Sequence, residues 1–237
     1  MAGEDGNQIV KLYFGPLSLF SRKVEIAIRE KGLPFELVMV PFSQERGYVP
    51  KHPDVLAGNP KGQVPVLVDR GLSMFDSTVI LEYLEDAYPE PPLYPADAGS
   101  RAACRMLELY ADEILLSDIR RLMHRSEPPA ADPNRRAQQE EGAREAEAAL
   151  SRHWGELERR LGGGEWFVGA FSVADIALFM SILFARRLHG PKLDGFPALA
   201  EWYARTAARP SVAPVASDVA EADRTLSPAL SNWPLPS

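Results

Sequence analysis

A proline-rich break at Pro89 to Pro95 (PEPPLYP) separates two stretches with different hydrophobic periods, and that change limits the fold more than any other feature of the chain. The segment holds four prolines, so it cannot continue a helix and tends to stay extended and semi-rigid. Before it, short apolar runs alternate with helical patterns. After it, only the helical period remains. The spacing therefore predicts one unit over 9–88, a linker over 89–97 and a second, helical unit over 98–237.

In the first unit, Val10 to Phe14 (VKLYF) reads as a short central strand closed by Gly15 and Pro16. From Ser18 to Lys31 the period turns helical, with Phe20, Val24, Ala27 and Ile28 on one side and Gly32 as the stop. Phe35 to Phe42 is a second strand. After a short helix or loop, Pro65 to Asp69 and Leu72 to Phe75 form a hairpin around Arg70 and Gly71. Asp76 and Ser77 then open a helix carrying Val79, Ile80, Tyr83 and Leu84. The order is βαβαββα, an α/β domain with a mixed four-stranded sheet.

In the second unit, Arg101 to Arg125 and Arg135 to Leu161 are helical, the latter stopped by Gly162, Gly163 and Gly164. Ser172 with Asp175 three residues on forms a capping box, and Phe171 is placed to staple onto Ile176. The apolar run Val173 to Phe184 is too short to span a bilayer, which needs ~20 residues, so it reads as a buried core helix. Pro197 to Ala208 is a further helix, and the tail through Ser237 carries only a weak helical signal.

Several function classes are disfavoured. A net charge of −7, with Lys and Arg scattered rather than striped, offers no footprint for a nucleic-acid backbone. One cysteine, Cys104, forms no CxxC pair or disulfide, and the four histidines lack ligand spacing, which argues against dithiol chemistry and a structural metal. The acidic, polar start MAGEDGNQ is unlike a secretory signal and predicts a cytoplasmic protein with no membrane partner.

Three places could carry chemistry. Ser18 and Ser21 stand where the first strand meets the first helix, and the amides and dipole there favour an anion such as a thiolate by about 0.3 to 1 kcal/mol. Since neither is Cys, a thiolate at this point must arrive with a ligand. A plain N-cap role for Ser18 fits the same residues. Val64-Pro65 at a strand start is either a trans edge residue or a cis bond that turns the Val64 backbone toward a peptide-like ligand. Asp76-Ser77 supplies an N-cap and, beyond it, a carboxylate and a helix N-terminus able to grip a zwitterionic end, while Lys51 and Gln63 could address a second carboxylate.

Together these residues resemble a cytosolic glutathione S-transferase. The likeness lies in Leu12-Tyr13 through Ser18 to Arg22-Lys23-Val24, in Asn59 to Leu67 (NPKGQVPVL), in Asp76-Ser77 followed by Ile80 and Tyr83-Leu84, and in Ser172 to Asp175 (SVAD). It covers the chain to about Pro210. It implies a thioredoxin-like N-terminal domain that binds glutathione as cosubstrate, an all-α domain completing a hydrophobic substrate site, a homodimer, and a role in detoxification.

The resemblance also assigns roles. Ser18 matches the catalytic serine of the theta-like and phi-like classes. Val64 pairs its backbone with the cysteinyl unit across a cis bond to Pro65, Asp76 and Ser77 hold the γ-glutamyl end, and Lys51 and Gln63 meet the glycine carboxylate. Pro50 stands where a histidine often precedes that lysine. Tyr13, inside the strand, reads as core or interface. The implied reaction is attack of a Ser18-stabilised glutathione thiolate on a small hydrophobic electrophile. Two alternatives stay open: a glutathione-dependent isomerase, dehalogenase or peroxidase on the same fold, and a non-catalytic interaction module.

Overall fold

The computed structural model describes residues 9–49 and 51–231. The leader MAGEDGNQ, Pro50 and the last six residues of the tail lie outside the described residues. The chain divides into two compact units, Met1–Pro92 and Leu93–Ser237.

The first unit is a four-stranded sheet ordered β2-β1-β3-β4, formed by β1 (Val10–Phe14), β2 (Phe35–Met39), β3 (Val66–Asp69) and β4 (Leu72–Phe75). β1 lies inside the sheet, as its apolar composition requires, parallel to β2 and antiparallel to β3. Helices α1 (Leu19–Glu30), α2 (Pro53–Gly58) and α3 (Ser77–Ala87) complete a thioredoxin-like βαβαββα unit. α1 and α3 bury Val24, Ala27, Ile28, Ile80, Leu81 and Leu84. At the foot of α1, Lys31 Nζ donates to Glu85 Oε2 at 2.9 Å and to the Tyr88 and Pro91 carbonyls at 2.6 and 3.0 Å. One buried ammonium thus ties α1 to α3 and to the segment that follows it.

The second unit is all helical. α4 (Ala98–Leu109) passes through a π-helical segment, Tyr110–Leu115, into α5 (Leu116–Leu122) and a 3-10 turn, Met123–Ser126. The single Arg101 to Arg125 helix expected from periodicity is therefore continuous but rewound in its middle. α6 (Pro133–Leu161) and α7 (Val173–Arg187) follow, and α7 is buried along nearly its whole length. Among the described residues no helix is long and apolar enough to cross a membrane. α8 (Pro197–Ala207) is followed by α9 (Ala213–Leu226) and the short α10 (Pro228–Ser231), so the tail is more helical than its composition announces. The capping box forms as read, with Asp175 accepting the Ser172 N–H at 3.0 Å, while the Phe171 ring contacts Trp166 and the Arg209 guanidinium.

Candidate functional site

The register of the sheet brings the chemical candidates to one edge. Tyr13 pairs with Val66, and Val66 pairs with Phe75, each time antiparallel. The end of β1, the start of β3 and the end of β4 therefore coincide; Val64-Pro65 and Asp76-Ser77 adjoin these residues directly, and Ser18 follows β1 after the turn Gly15 to Leu17. β2 runs parallel to β1 with Phe14 opposite Met39, so the segment bearing Tyr48 and Lys51 leaves from that same edge.

Ser18 is the N-cap of α1, extended at φ −96° and ψ 109°, and its Oγ accepts the Ser21 N–H at 3.2 Å. The N-cap role read from the sequence is thus the observed one, at the positive end of the helix. Ser21 is used differently: fully buried, its Oγ accepts the Gly15 N–H at 3.4 Å. Arg22 braces the turn from below, donating from Nε and Nη2 to the Pro16 carbonyl at 3.3 Å and pairing with buried Glu25 at 2.6 Å. Its guanidinium also lies 4.7 Å from the Phe14 ring centroid.

Val64 is buried, precedes the β3 ladder by two residues, and joins Pro65 through a cis peptide bond, the second of the two possibilities left by the sequence. Asp76 caps α3 by accepting the Thr78 N–H at 3.1 Å, and holds φ at +74°, a region costly for a residue with a Cβ. Ser77 is buried in the first turn. Lys51 and Gln63 are both exposed. The Lys51 stem runs beside Gly62, where an added Cβ would stand 3.4 Å from Lys51 Cδ, so the lysine and the turn bearing Gln63 are neighbours.

Tyr13 is buried, and its hydroxyl donates to Asp54 Oδ2 at 2.7 Å. That hydrogen bond, with burial and the charges of Asp54 and Glu36, pushes the phenol up to about 12. A phenol so held is a core contact and a poor source of a thiolate-activating proton.

Two residues carried no role in the sequence reading. Asn59, buried after α2, donates to the Gln63 carbonyl at 2.7 Å and accepts the Lys61 N–H at 2.9 Å, which shapes the turn before Val64. Its signal was the Asn-Pro-Lys-Gly turn composition. Tyr48 packs on Phe42, with ring centroids 5.0 Å apart, and its phenol fills the space where Gly15 has no side chain: an added Cβ would stand 1.8 Å from Tyr48 Oη. No pattern in the loop foretells this.

Among the described residues no group of three or more His, Cys, Asp or Glu is arranged to hold a metal.

The sequence matches the family description "Glutathione S-transferase, N-terminal domain" over residues 12–92 and "Glutathione S-transferase, C-terminal domain" over residues 136–205. A solved glutathione S-transferase from Methylobacterium radiotolerans, in complex with glutathione sulfonate, is 32% identical with a TM-score of 0.67, covering 87% of this chain and 94% of its own. The chain belongs to the glutathione S-transferase superfamily. The FtsZ-localized protein A of Caulobacter vibrioides is 28% identical over 87% of this chain and 90% of its own length. A stringent starvation protein A homolog of Coxiella burnetii is 35% identical over 129 residues, 54% of this chain. That match spans 57% of the Coxiella protein. The chain is thus also similar to proteins whose names do not mention glutathione.

Proposed function

We propose that this chain binds glutathione along the shared sheet edge and that Ser18 activates its sulfur as a thiolate for attack on a small hydrophobic electrophile. The observation that carries the reading is the register from Tyr13 through Val66 to Phe75. Two strand spacings measure about 10 Å, the reach of an extended tripeptide at ~3.4 Å per residue. In this reading the Val64 backbone pairs with the cysteinyl unit across the bond to Pro65. Asp76 takes the γ-glutamyl ammonium, while Ser77 and the N-terminus of α3 take its carboxylate. Lys51 and Gln63 take the glycine carboxylate.

The Ser18 hydroxyl then donates a hydrogen bond to the sulfur while keeping its proton, and the N-terminus of α1 adds its positive potential. Each unit by which the thiol pKa falls corresponds to about 1.4 kcal/mol of preference for thiolate. The thiol proton leaves to solvent, the thiolate forms a carbon–sulfur bond, and the leaving group departs with its electron pair. Ser18 is thus the activator and glutathione the nucleophile. A homodimer in the cytoplasm, acting in detoxification, completes the reading. It calls on no metal, nucleic acid or membrane.

The test is a calorimetric glutathione titration, paired with thiolate absorbance and a conjugation assay on an activated aryl halide, for wild type and Ser18→Ala. Binding in both proteins, with thiolate and turnover lost only in the variant, supports the transferase. Absence of binding in wild type refutes it. Isomerase, dehalogenase and peroxidase chemistry share the first step and are separated by the electrophile supplied.

The similarity to FtsZ-localized protein A favours a second reading, a non-catalytic interaction module on the same fold. Failure to bind glutathione, with retrieval of a specific protein partner, would establish that one instead.

A further inference from the structure

Within the helical unit, the π-helical segment Tyr110–Leu115 runs directly into α5. Positions eight apart on an ordinary helix are rotated from each other by about 80°. One extra residue wound into a π turn reduces that angle to about 20°, so Tyr110 and Asp118 come to lie on one face. His153 of α6 packs against that face, its ring edge to face with Tyr110 at 5.4 Å between centroids. Tyr110 Oη is 2.5 Å from His153 Nδ1, and His153 Nε2 stands 3.5 Å from Asp118 Oδ2. The other oxygen of Asp118, Oδ1, faces Arg121 at 3.9 Å.

A carboxylate has only lone pairs to offer, so the imidazole nitrogen facing Asp118 is the one that carries hydrogen. In the neutral ring Nδ1 is then an acceptor, and the Tyr110 hydroxyl donates to it. We infer that Tyr110 is a nucleophile for activated acyl donors of the aryl ester class, with His153 Nδ1 taking the phenol proton and Asp118 holding the imidazole in the required tautomer. Phenol, imidazole and carboxylate stand in the order of a nucleophile, its base and the group that orients the base. The phenol oxygen forms a bond to the acyl carbon, its proton passes to Nδ1, and the aryl oxide leaves with the electron pair of the broken ester bond. Burial is the main cause holding the Tyr110 phenol above its ordinary value, helped by the Glu156 and Asp118 charges and opposed by Arg160. Such a phenol is protonated near neutral pH and reacts only with a base at hand. Tyr110 is partly exposed, and the side chains of His153 and Asp118 keep 25% and 18% exposure, so a small ester reaches the hydroxyl. This chemistry requires neither glutathione nor Ser18.

The experiment uses the full chain as wild type, Tyr110→Phe, His153→Gln and Asp118→Asn, with para-nitrophenyl acetate as the probe and no glutathione present. Nitrophenolate release gives the rate, and peptide mass spectrometry locates the acetyl group. The expected result for wild type is a burst of about one equivalent of nitrophenolate, with the acetyl group on Tyr110. Tyr110→Phe keeps the ring and its packing on His153 but gives no burst. His153→Gln offers an acceptor to the Tyr110 hydroxyl but no base, and should slow the burst by about a hundredfold or more. Asp118→Asn keeps the side chain's size and should react at an intermediate rate, since the base remains and only its orientation is loosened. Thermal unfolding of each variant separates this loss from a loss of fold.

A purely structural tie between α6 and the π-helical segment makes the opposite forecast. It lowers the melting temperature of His153→Gln but leaves acylation scattered over the tyrosines according to their exposure. That scatter would overturn the inference, as would a burst of unchanged rate in a folded His153→Gln. Should His153→Gln fail to fold, Asp118→Asn decides: a burst as fast as that of wild type overturns the inference, and a slower one at Tyr110 supports it. In urea the wild type should lose its preference for Tyr110, because the preference belongs to the folded arrangement; a preference that survives unfolding would overturn it too.

Discussion

The indole of Trp202 in α8 donates to Asp175 Oδ1 at 2.8 Å, while Oδ2 takes the N–H and hydroxyl of Ser172, each at 3.0 Å. The Phe167 N–H adds a fourth donor at 3.3 Å. One fully buried carboxylate thereby joins the start of α7, the segment before it and α8. Burial holds the carboxyl above the usual carboxylate range despite these donors. Asp175→Ala leaves the donors without a partner and is expected to cost about 3 kcal/mol or more in urea unfolding. Asp175→Asn retains an acceptor for Trp202 but turns an amide toward Ser172, for a smaller loss of about 1 to 3 kcal/mol. A pKa raised on folding means that the contribution is full below the unfolded value and is lost as pH rises through the folded one. The advantage of wild type over Asp175→Asn should therefore widen between pH 7 and pH 4. A constant gap would contradict the assignment.

Tyr13 is a further hydroxyl near the site, and its bond to Asp54 makes it structural. Tyr13→Phe should cost about 1 kcal/mol near neutral pH, the worth of one hydrogen bond. With the phenol pushed up to about 12, that contribution is present below the ordinary value near 10 and lost as pH climbs to 12. The stability difference between wild type and variant should close over that interval. Bound-glutathione thiolate should be the same in both proteins. Loss of thiolate comparable to that in Ser18→Ala would transfer the activation step to Tyr13.

How far the sequence reaches can be seen at individual residues. The four strands, the capping box at Ser172 and Asp175, and the helix starts at Ser18 and Asp76 were legible because each rests on local periodicity or a local side-chain bond. Tyr48 was not legible, since its place depends on Gly15 in another element, thirty-three positions away, lacking a side chain. The π-helical rewinding at Tyr110–Leu115 was missed because its apolar spacing also satisfies an ordinary helix. α9 was missed for a third reason: Val215 and Val219 give it a narrow apolar face, and a long-range ion pair to α7 supplies what the composition lacks.

Asp76 combines a cap with an unfavourable backbone, and the two can be separated by substitution. Asp76→Ala removes the acceptor for the Thr78 N–H and leaves a Cβ at φ +74°, so it should destabilise by about 1 kcal/mol or more. Asp76→Gly also removes the acceptor but adopts positive φ freely, and should melt higher than the Ala variant. Both should weaken glutathione binding alike if the carboxylate takes the ammonium group. Gly binding as tightly as wild type would remove Asp76 from the ligand site and leave it a cap.

Arg187 near the end of α7 reaches Asp223 in α9, with Nε donating to Oδ2 at 2.7 Å and Nη2 to the other carboxylate oxygen. Nη2 also donates to Ser227 Oγ at 3.3 Å. The pair is largely shielded from water, so its charge-assisted bonds are worth more than an exposed ion pair, about 1.5 to 3 kcal/mol. α9 has few other anchors, because its buried residues are Val215 and Val219 alone. Asp223→Ala should therefore loosen α9 locally: amide exchange over 213–226 accelerates by about tenfold or more, while α7, buried along its length, exchanges as before. Since 1.4 kcal/mol corresponds to a factor of ten, a loss of 1.5 kcal/mol confined to α9 is enough to produce that change. Equal acceleration in α7 and α9 would mean that the two helices open as one unit, and that the Arg187–Asp223 pair stabilises the whole helical unit rather than docking its last long helix.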